Sequence, residues 1–600
     1  MNYIDRKDIP SEYKWRLTDI YPNEAAWEEE LAQAQSGAQK MKSYQGRLGE
    51  NQETLRAGLR LFESLEKRLE RVYMYAKLNL DVDNSDAKYQ AMHDRTLGVL
   101  FQIQETTSFI VPELTAIPPE TLREWVNSDQ SLADFRHMID DVIRSRKHVL
   151  SAREEQLMAM VAPALEGLDG AFSMLESVDL KLGEITDEKG EQVILTHGLF
   201  GKLRDSSDRR VRADSFEAMH KAFAGMGNTI ASLYAGSVRS DLFHAKARGY
   251  QSCLDKAMFG DNLPPSIYTG LIEAVRAHLP AYRRYLELRR RILGVDKLHI
   301  YDTYVPIVEL PQREYTYEQA CDMVREHLAP LGRDYLRDLD KLLAGGWVDV
   351  YETPGKATGA YATGVYGVHP YMLLNFVGNL SDVFTLAHEA GHCMHTYYSD
   401  TQPYMNKDYP IFLAEIASTV NENILMRGMI GACDVSTPDG RLEKAYLLNR
   451  FLEEFKGTVF RQTMFAEFEL KVHEMAERGE PLTGETLCEV YGGLLGDYFG
   501  PDVEIDDYMR WEWARIPHFY RAFYVFKYAT GFSAASAITG MLTQQGTVER
   551  YLDFLKAGGS DYPAETLKRA GVDLTTPQPV NQALKEFESL LNQFEQLLGQ

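Results

Sequence analysis

Apolar residues recur every three to four positions through most of this 600-residue chain. That period constrains the fold more than any other feature, because an α-helix is what brings residues i, i+3, i+4 and i+7 to one face. From Asn23 to about Arg153 such segments follow one another. Leu55, Leu59, Leu61, Phe62 and Leu65 form one stripe inside the charge-rich stretch ETLRAGLRLFESLEKRLERVYMYAKL. Pro118-Pro119 and Pro163 are expected to punctuate these helices. The pattern resumes from Asp208 to about Leu343, interrupted near Pro264-Pro265 and at residues 298–309. It returns from Asp382 to the C-terminus, including a long run over Leu442–Glu477 whose start is marked by Thr437-Pro438-Asp439.

Two stretches break the period. GEITDEKGEQVILTHG, around Gly190, is short, turn-centred and β-compatible, and reads as a hairpin between helical blocks. Residues 347–376, WVDVYETPGKATGAYATGVYGVHPYMLLNF, are glycine-rich, aromatic and β-branched, and predict a small sheet. The expected fold class is therefore mainly α: a large multi-helical body with a small β-sheet. The hairpin places a domain boundary at 184–200, giving a helical N-terminal lobe over residues 1–190 and a second region over 191–600.

With 64 Lys+Arg against 88 Asp+Glu, the net charge is −24, which repels phosphate backbones and anionic headgroups and argues against nucleic-acid and membrane-surface partners. The five cysteines, Cys253, Cys321, Cys393, Cys433 and Cys488, show no C-x-x-C spacing, so neither a disulfide framework nor a thiolate metal knuckle is supported. The N-terminus, MNYIDRKDIPSEYKWRL, carries charge where a signal peptide needs an apolar segment. A soluble cytoplasmic protein is the expectation, with its oligomeric state left open.

Chemistry concentrates in LSDVFTLAHEAGHCMHTYY. Within it, His388 and His392 stand at i and i+4, so on a helix both imidazoles point into the same space and can share a tetrahedral metal. Glu389 is rotated by about 100° from His388, near enough to reach a water on that metal without filling a ligand position. In a chain of this composition H-E-x-x-H arises by chance about 0.03 times. A third ligand is available in Glu415, within the apolar helical stretch DYPIFLAEIASTVNENILM, where an unpaired carboxylate would be costly to bury. Ser418 and Glu422, three and seven residues on, share its face and could orient a ligand histidine. His395 reads as packing or support, and His473-Glu474, lacking a second histidine, as a solvated helix face.

The combination of HEAGH at 388–392, FLAEIAST around Glu415, ATGAYATGVYGVHPYMLLNF before the motif and RIPHFYRAFYVFKYATG from Arg515 resembles the oligoendopeptidase F branch of the thimet oligopeptidase-like zinc metallopeptidases. The resemblance spans essentially the whole chain. It implies one Zn2+ per chain on His388, His392 and Glu415, Glu389 as general base, and His518 with a following tyrosine stabilising the tetrahedral intermediate. Tyr520, Tyr524 and Tyr528 recur every fourth residue, so spacing leaves open which of them acts. The resemblance further implies endopeptidase action on short peptides and two lobes around a deep substrate channel beside a zincin-type active-site helix. The glycine-rich stretch, through Gly359, Ala360, Tyr361, Gly364, Tyr366, Gly367 and His369, is either a tight hairpin capping the body or an edge strand that pairs with an extended peptide; similar metallopeptidases favour the second. An aminopeptidase and a non-catalytic peptide-binding protein are the alternatives.

Overall fold

The structure, a computed structural model, describes residues 5–310 and 313–599. Helices form where the 3.6-residue period and a capping residue coincide. Asn23, Asn51 and Asp86 accept hydrogen bonds from the first-turn N–H groups of helices Glu24–Met41, Gln52–Asp81 and Ala87–Thr107. Thr437 caps the helix that opens at Pro438, which continues through a π-turn at Lys456–Phe460 to Glu477. Pro163 does not end its helix: Ala152–Met174 runs through it. Losing one N–H donor is tolerable where turns on both sides already propagate the helix.

The chain divides into two compact units, each assembled from distant segments. The first comprises Met1–Lys147, Gln312–Gly428 and Ile538–Val572; the second comprises His148–Pro311, Met429–Ala537 and Asp573–Gln600. The hairpin read at 184–200 is present as strands Glu184–Thr186 and Gln192–Ile194, paired antiparallel, and lies inside the second unit rather than between the two.

In the first unit the three N-terminal helices bury Trp27, Leu31, Val72 and Leu78, and the Trp27 Nε1–H donates to the Val72 carbonyl at 2.9 Å. Their core extends onto Tyr371 and Leu373 of a small sheet. Its strands are β1 (Val348–Asp349), β2 (Tyr361–Thr363) and β3 (Tyr371–Leu373), in the order β1-β3-β2. Central β3 pairs in parallel with β1, through Val348 and Met372, and antiparallel with β2, through Ala362 and Met372. β2 is thus an edge strand. Helix α1 (Leu380–Ser399) follows, opened by a capping box between Asn379 and Asp382, and then α2 (Ile411–Ala432). Among the described residues no helix is long and apolar enough to cross a membrane.

Candidate metal centre

α1 and α2 approach more closely than ordinary side chains permit. A Cβ at Gly391 would lie 2.5 Å from the Ser418 Cα and 2.6 Å from the Ala417 carbonyl oxygen. Asn421, fully buried on α2, donates through Nδ2 to the Ala387 carbonyl of α1 at 3.1 Å and accepts from the Tyr335 hydroxyl at 2.9 Å. The contact fixes the rotation of both helices and brings three side chains to one point. His388 Nε2 and His392 Nε2 are 3.1 Å apart, and Glu415 Oε2 lies 3.4 Å from the first and 3.5 Å from the second. Ligands about 2.0–2.1 Å from a tetrahedral zinc stand roughly 3.4 Å from one another. The triangle therefore fits that ion, and among the described residues it is the one such group of three.

The surroundings prepare each ligand. The Ser418 hydroxyl donates to Glu415 Oε2 at 3.2 Å. His388 Nδ1 is 3.2 Å from Glu422 Oε2, which fixes the proton on Nδ1 and leaves the Nε2 lone pair for a cation. Burial disfavours a charged His388, but hydrogen bonds to Glu415 and Glu422 outweigh it and hold the imidazolium up to about 10. Glu389 is 7% exposed and its Oε2 has no partner; burial pushes its carboxyl up, with the two imidazoles pulling the other way. His395, also buried, stacks on Tyr409 at 3.6 Å and takes no place among these atoms.

The glycine-rich segment lies in the same unit. Gly359 and Gly367 adopt φ of +80° and +75°, which favour glycine, and Gly364 passes so close to α1 that a Cβ would be 2.5 Å from Thr396 Cγ2. Asn375 anchors the approach to β2 by donating to the Ala357 and Gly359 carbonyls at 2.9 and 2.7 Å, and Ala360 leads directly into the strand. The Tyr361 hydroxyl donates to Asp81, and the Tyr366 hydroxyl to the Gln402 carbonyl at 2.9 Å. His369 is buried, stacked on Trp347 at 4.3 Å, with Nε2 3.0 Å from Asp19 Oδ2. A cavity of about 490 Å3 opens beside Ala362, Thr363 and Gly364, bounded also by Glu66, Glu70 and Asp400.

In the second unit, the tyrosines after His518 do not share a helix face. His518 and Tyr520 belong to a short 3-10 turn, Pro517–Tyr520, whereas the helix carrying Tyr528 begins at Phe526. Between them Phe523 takes φ +57° and redirects the chain. Tyr520 stacks on Phe172 at 4.5 Å, with its hydroxyl buried and unpartnered. The Tyr528 hydroxyl lies 3.5 Å from His518 Nε2, and the Tyr524 and Tyr528 rings meet edge-on at 5.5 Å. Burial, with Arg521 adding to it, pushes the His518 imidazole below its ordinary pKa. His473 is not on a solvated face: it is 1% exposed and packs on Phe523 at 4.5 Å, while Glu474 beside it faces outward. Gly391 and Asn421 escaped the sequence reading, although the two asparagines, Asn421 and Asn423, in the apolar run FLAEIASTVNENILM were a signal.

A helix pair presenting two histidines, a glutamate and an adjacent buried carboxyl is the ligand arrangement of a metallohydrolase. The family model for peptidase family M3 matches residues 202–586, and that for oligopeptidase F matches 113–181. The chain belongs to peptidase family M3. It is 40% identical to oligopeptidase PepF of Bacillus subtilis over 99% of this chain and 88% of that protein. It is 36% identical to the plasmid-encoded oligoendopeptidase F of Lactococcus lactis subsp. cremoris, over 99% and 98%. The crystal structure of oligoendopeptidase F from Enterococcus faecium superposes with a TM-score of 0.74 at 35% identity, covering 96% of this chain and 99% of that one. A crystal structure from Chlamydophila abortus reaches 0.93, also at 35% identity, over 99% and 100%.

Proposed function

We propose that this peptidase is a zinc-dependent endopeptidase that hydrolyses internal bonds of short oligopeptides in a reducing, cytoplasmic setting. The convergence of His388 Nε2, His392 Nε2 and Glu415 Oε2 beside the unpartnered Glu389 carboxyl carries this reading. Names of relatives as oligopeptidases and oligoendopeptidases support it, and none of the five cysteines forms a disulfide. Held by His388, His392 and Glu415, zinc would supply a Lewis acid and lower the pKa of a water toward about 7.

With the metal bound, Glu389 would accept a proton from the attacking water and pass it to the leaving amine. Its buried Oε2, without a hydrogen-bond partner, keeps the carboxyl available for both transfers. Ser418 and Glu422 hold the ligand side chains in orientation. His518, with Tyr524 or Tyr528, donates hydrogen bonds to the developing oxyanion; Tyr520 is left to packing. The free edge of β2 pairs with the extended substrate backbone, reading main chain rather than side chains, over the stretch from Gly359 to Gly364.

Cleavage of an N-terminally blocked, internally quenched oligopeptide tests the reading. We expect turnover that a chelator abolishes and zinc restores; cleavage confined to peptides with a free amino terminus would replace endopeptidase by aminopeptidase. Glu389→Gln should retain the metal and lose nearly all turnover, measured by metal analysis and rate on the same sample. Near-normal turnover would remove Glu389 from the mechanism.

A further inference from the structure

In the second unit, helix α3 (Arg461–Glu477) carries a carboxyl with no evident place in the reaction. Glu469 is fully buried, its Oε1 accepts the Phe523 N–H at 3.0 Å, and its Oε2 has no partner. Phe523 is one of two non-glycine residues with positive φ among the described residues; the other is Asn262. Asparagine tolerates that region, whereas a phenylalanine there is strained and persists only when its surroundings enforce it. Glu469 meets the turn twice. Its carboxyl takes the Phe523 N–H, and its carbonyl accepts from His473 Nδ1–H at 2.8 Å, placing the imidazole against the Phe523 ring. Tyr268 also meets that ring, edge-on at 5.4 Å.

We propose that Glu469 is a positioning residue. By holding Phe523 in the left-handed conformation, it sets the turn that brings His518 together with Tyr524 and Tyr528. This rests on the reading of that cluster as the oxyanion donor. The turn is the sole covalent link between the His518 turn and the Tyr528 helix, so a relaxed φ at Phe523 changes the direction of one relative to the other. Burial, with Asp241 adding to it, pushes the Glu469 carboxyl well up against the pull of the Phe523 N–H, and the contact itself requires only an oxygen that accepts that N–H. An amide can therefore replace it and an aliphatic chain cannot.

The test compares Glu469→Gln and Glu469→Leu in the zinc-loaded full chain, with kcat and KM on the blocked quenched peptide. Metal content, circular dichroism and hydrogen exchange of the segment 521–525 are measured on the same samples. Glu469→Gln should keep kcat within about threefold and the segment protected. Glu469→Leu should lower kcat by about tenfold or more, as expected for misplaced catalytic groups, with KM within about twofold, full metal content and faster exchange at 521–525. If the leucine variant does not fold, Glu469→Met, flexible but also without an acceptor, takes its place under the same criteria. A folded, metal-loaded leucine or methionine variant with kcat within twofold of native overturns the proposal, as does a glutamine variant that falls as far as leucine. Tyr524→Phe and Tyr528→Phe separate the two levels. If neither lowers kcat, the oxyanion reading fails and the proposal with it. If one does while Glu469→Leu does not, the positioning role alone fails.

Discussion

Gly391 occupies a position that no side chain can take without moving backbone. The atoms a Cβ would strike, Ser418 Cα and the Ala417 oxygen, belong to the main chain of α2, so no rotamer change relieves the clash. Gly391→Ala is expected to separate α1 from α2, costing about 1–3 kcal/mol by overpacking and weakening metal binding, because His392 and Glu415 sit either side of the contact. Thermal unfolding and zinc titration check both effects. Asp400 offers a pH test in the cavity beside β2. Burial pushes its carboxyl up to about 7, with Glu70 and Asp408 adding to the effect and Lys407 opposing it. In the unfolded chain the group ionises near 3.9. As pH rises from about 4 to 7 the unfolded state sheds this proton while the folded state retains it, so the stability present at low pH is lost by about pH 7 and above. Asp400→Asn should therefore raise the melting temperature at pH 8 and change it little at pH 4; an equal gain at both would mean the charge is not the cause.

At the scale of elements, the sheet beside α1 is held by a buried ionic knot. The Lys356 side chain is fully buried, 2.9 Å from Asp349 Oδ1, and donates to the carbonyls of Tyr351 and Leu374 at 2.7 and 2.6 Å, while Arg6 also donates to Asp349. One ammonium thus ties β1 to the end of β3. Breaking a buried pair by removing one partner costs about 3–5 kcal/mol, more than replacing both by apolar groups. Asp349→Asn should reach that range in denaturant unfolding, and Lys356→Met combined with Asp349→Leu should cost less than the single change. Elements that depend on neighbouring residues were legible in the sequence: the Thr437 cap, the hairpin at Gly190 and the sheet in 347–376 rest on local turn and capping chemistry. The i, i+4 histidines were legible for the same reason. The tyrosine stripe was not, because its period assumed one helix, and the φ of Phe523 is set by Glu469, a residue distant in sequence. His473 misled in the same way. A histidine among charges reads as exposed until tertiary packing buries it against Phe523 and 3.4 Å from Asp241.

For the whole molecule, the hairpin around Gly190 suggested a boundary at 184–200, and the compact units draw on three separated segments each. Long-range contacts define such units, and no local signal encodes them. The division has a thermodynamic consequence. All three metal ligands, with Ser418 and Glu422, lie in the first unit, while Glu469, His518 and the tyrosines lie in the second. Chains with more than one cooperative core depart from two-state unfolding. A ligand that binds only the folded form stabilises the part that holds it, by about 4 kcal/mol when present at a thousand times its dissociation constant. Calorimetry is therefore expected to show a transition that rises by several degrees on adding zinc to the chelated protein and a second that moves little. Gly391→Ala should lower the first and Glu469→Leu the second. If zinc shifts the entire heat-capacity profile as one peak, and both variants lower that same peak, the two units unfold as a single cooperative body.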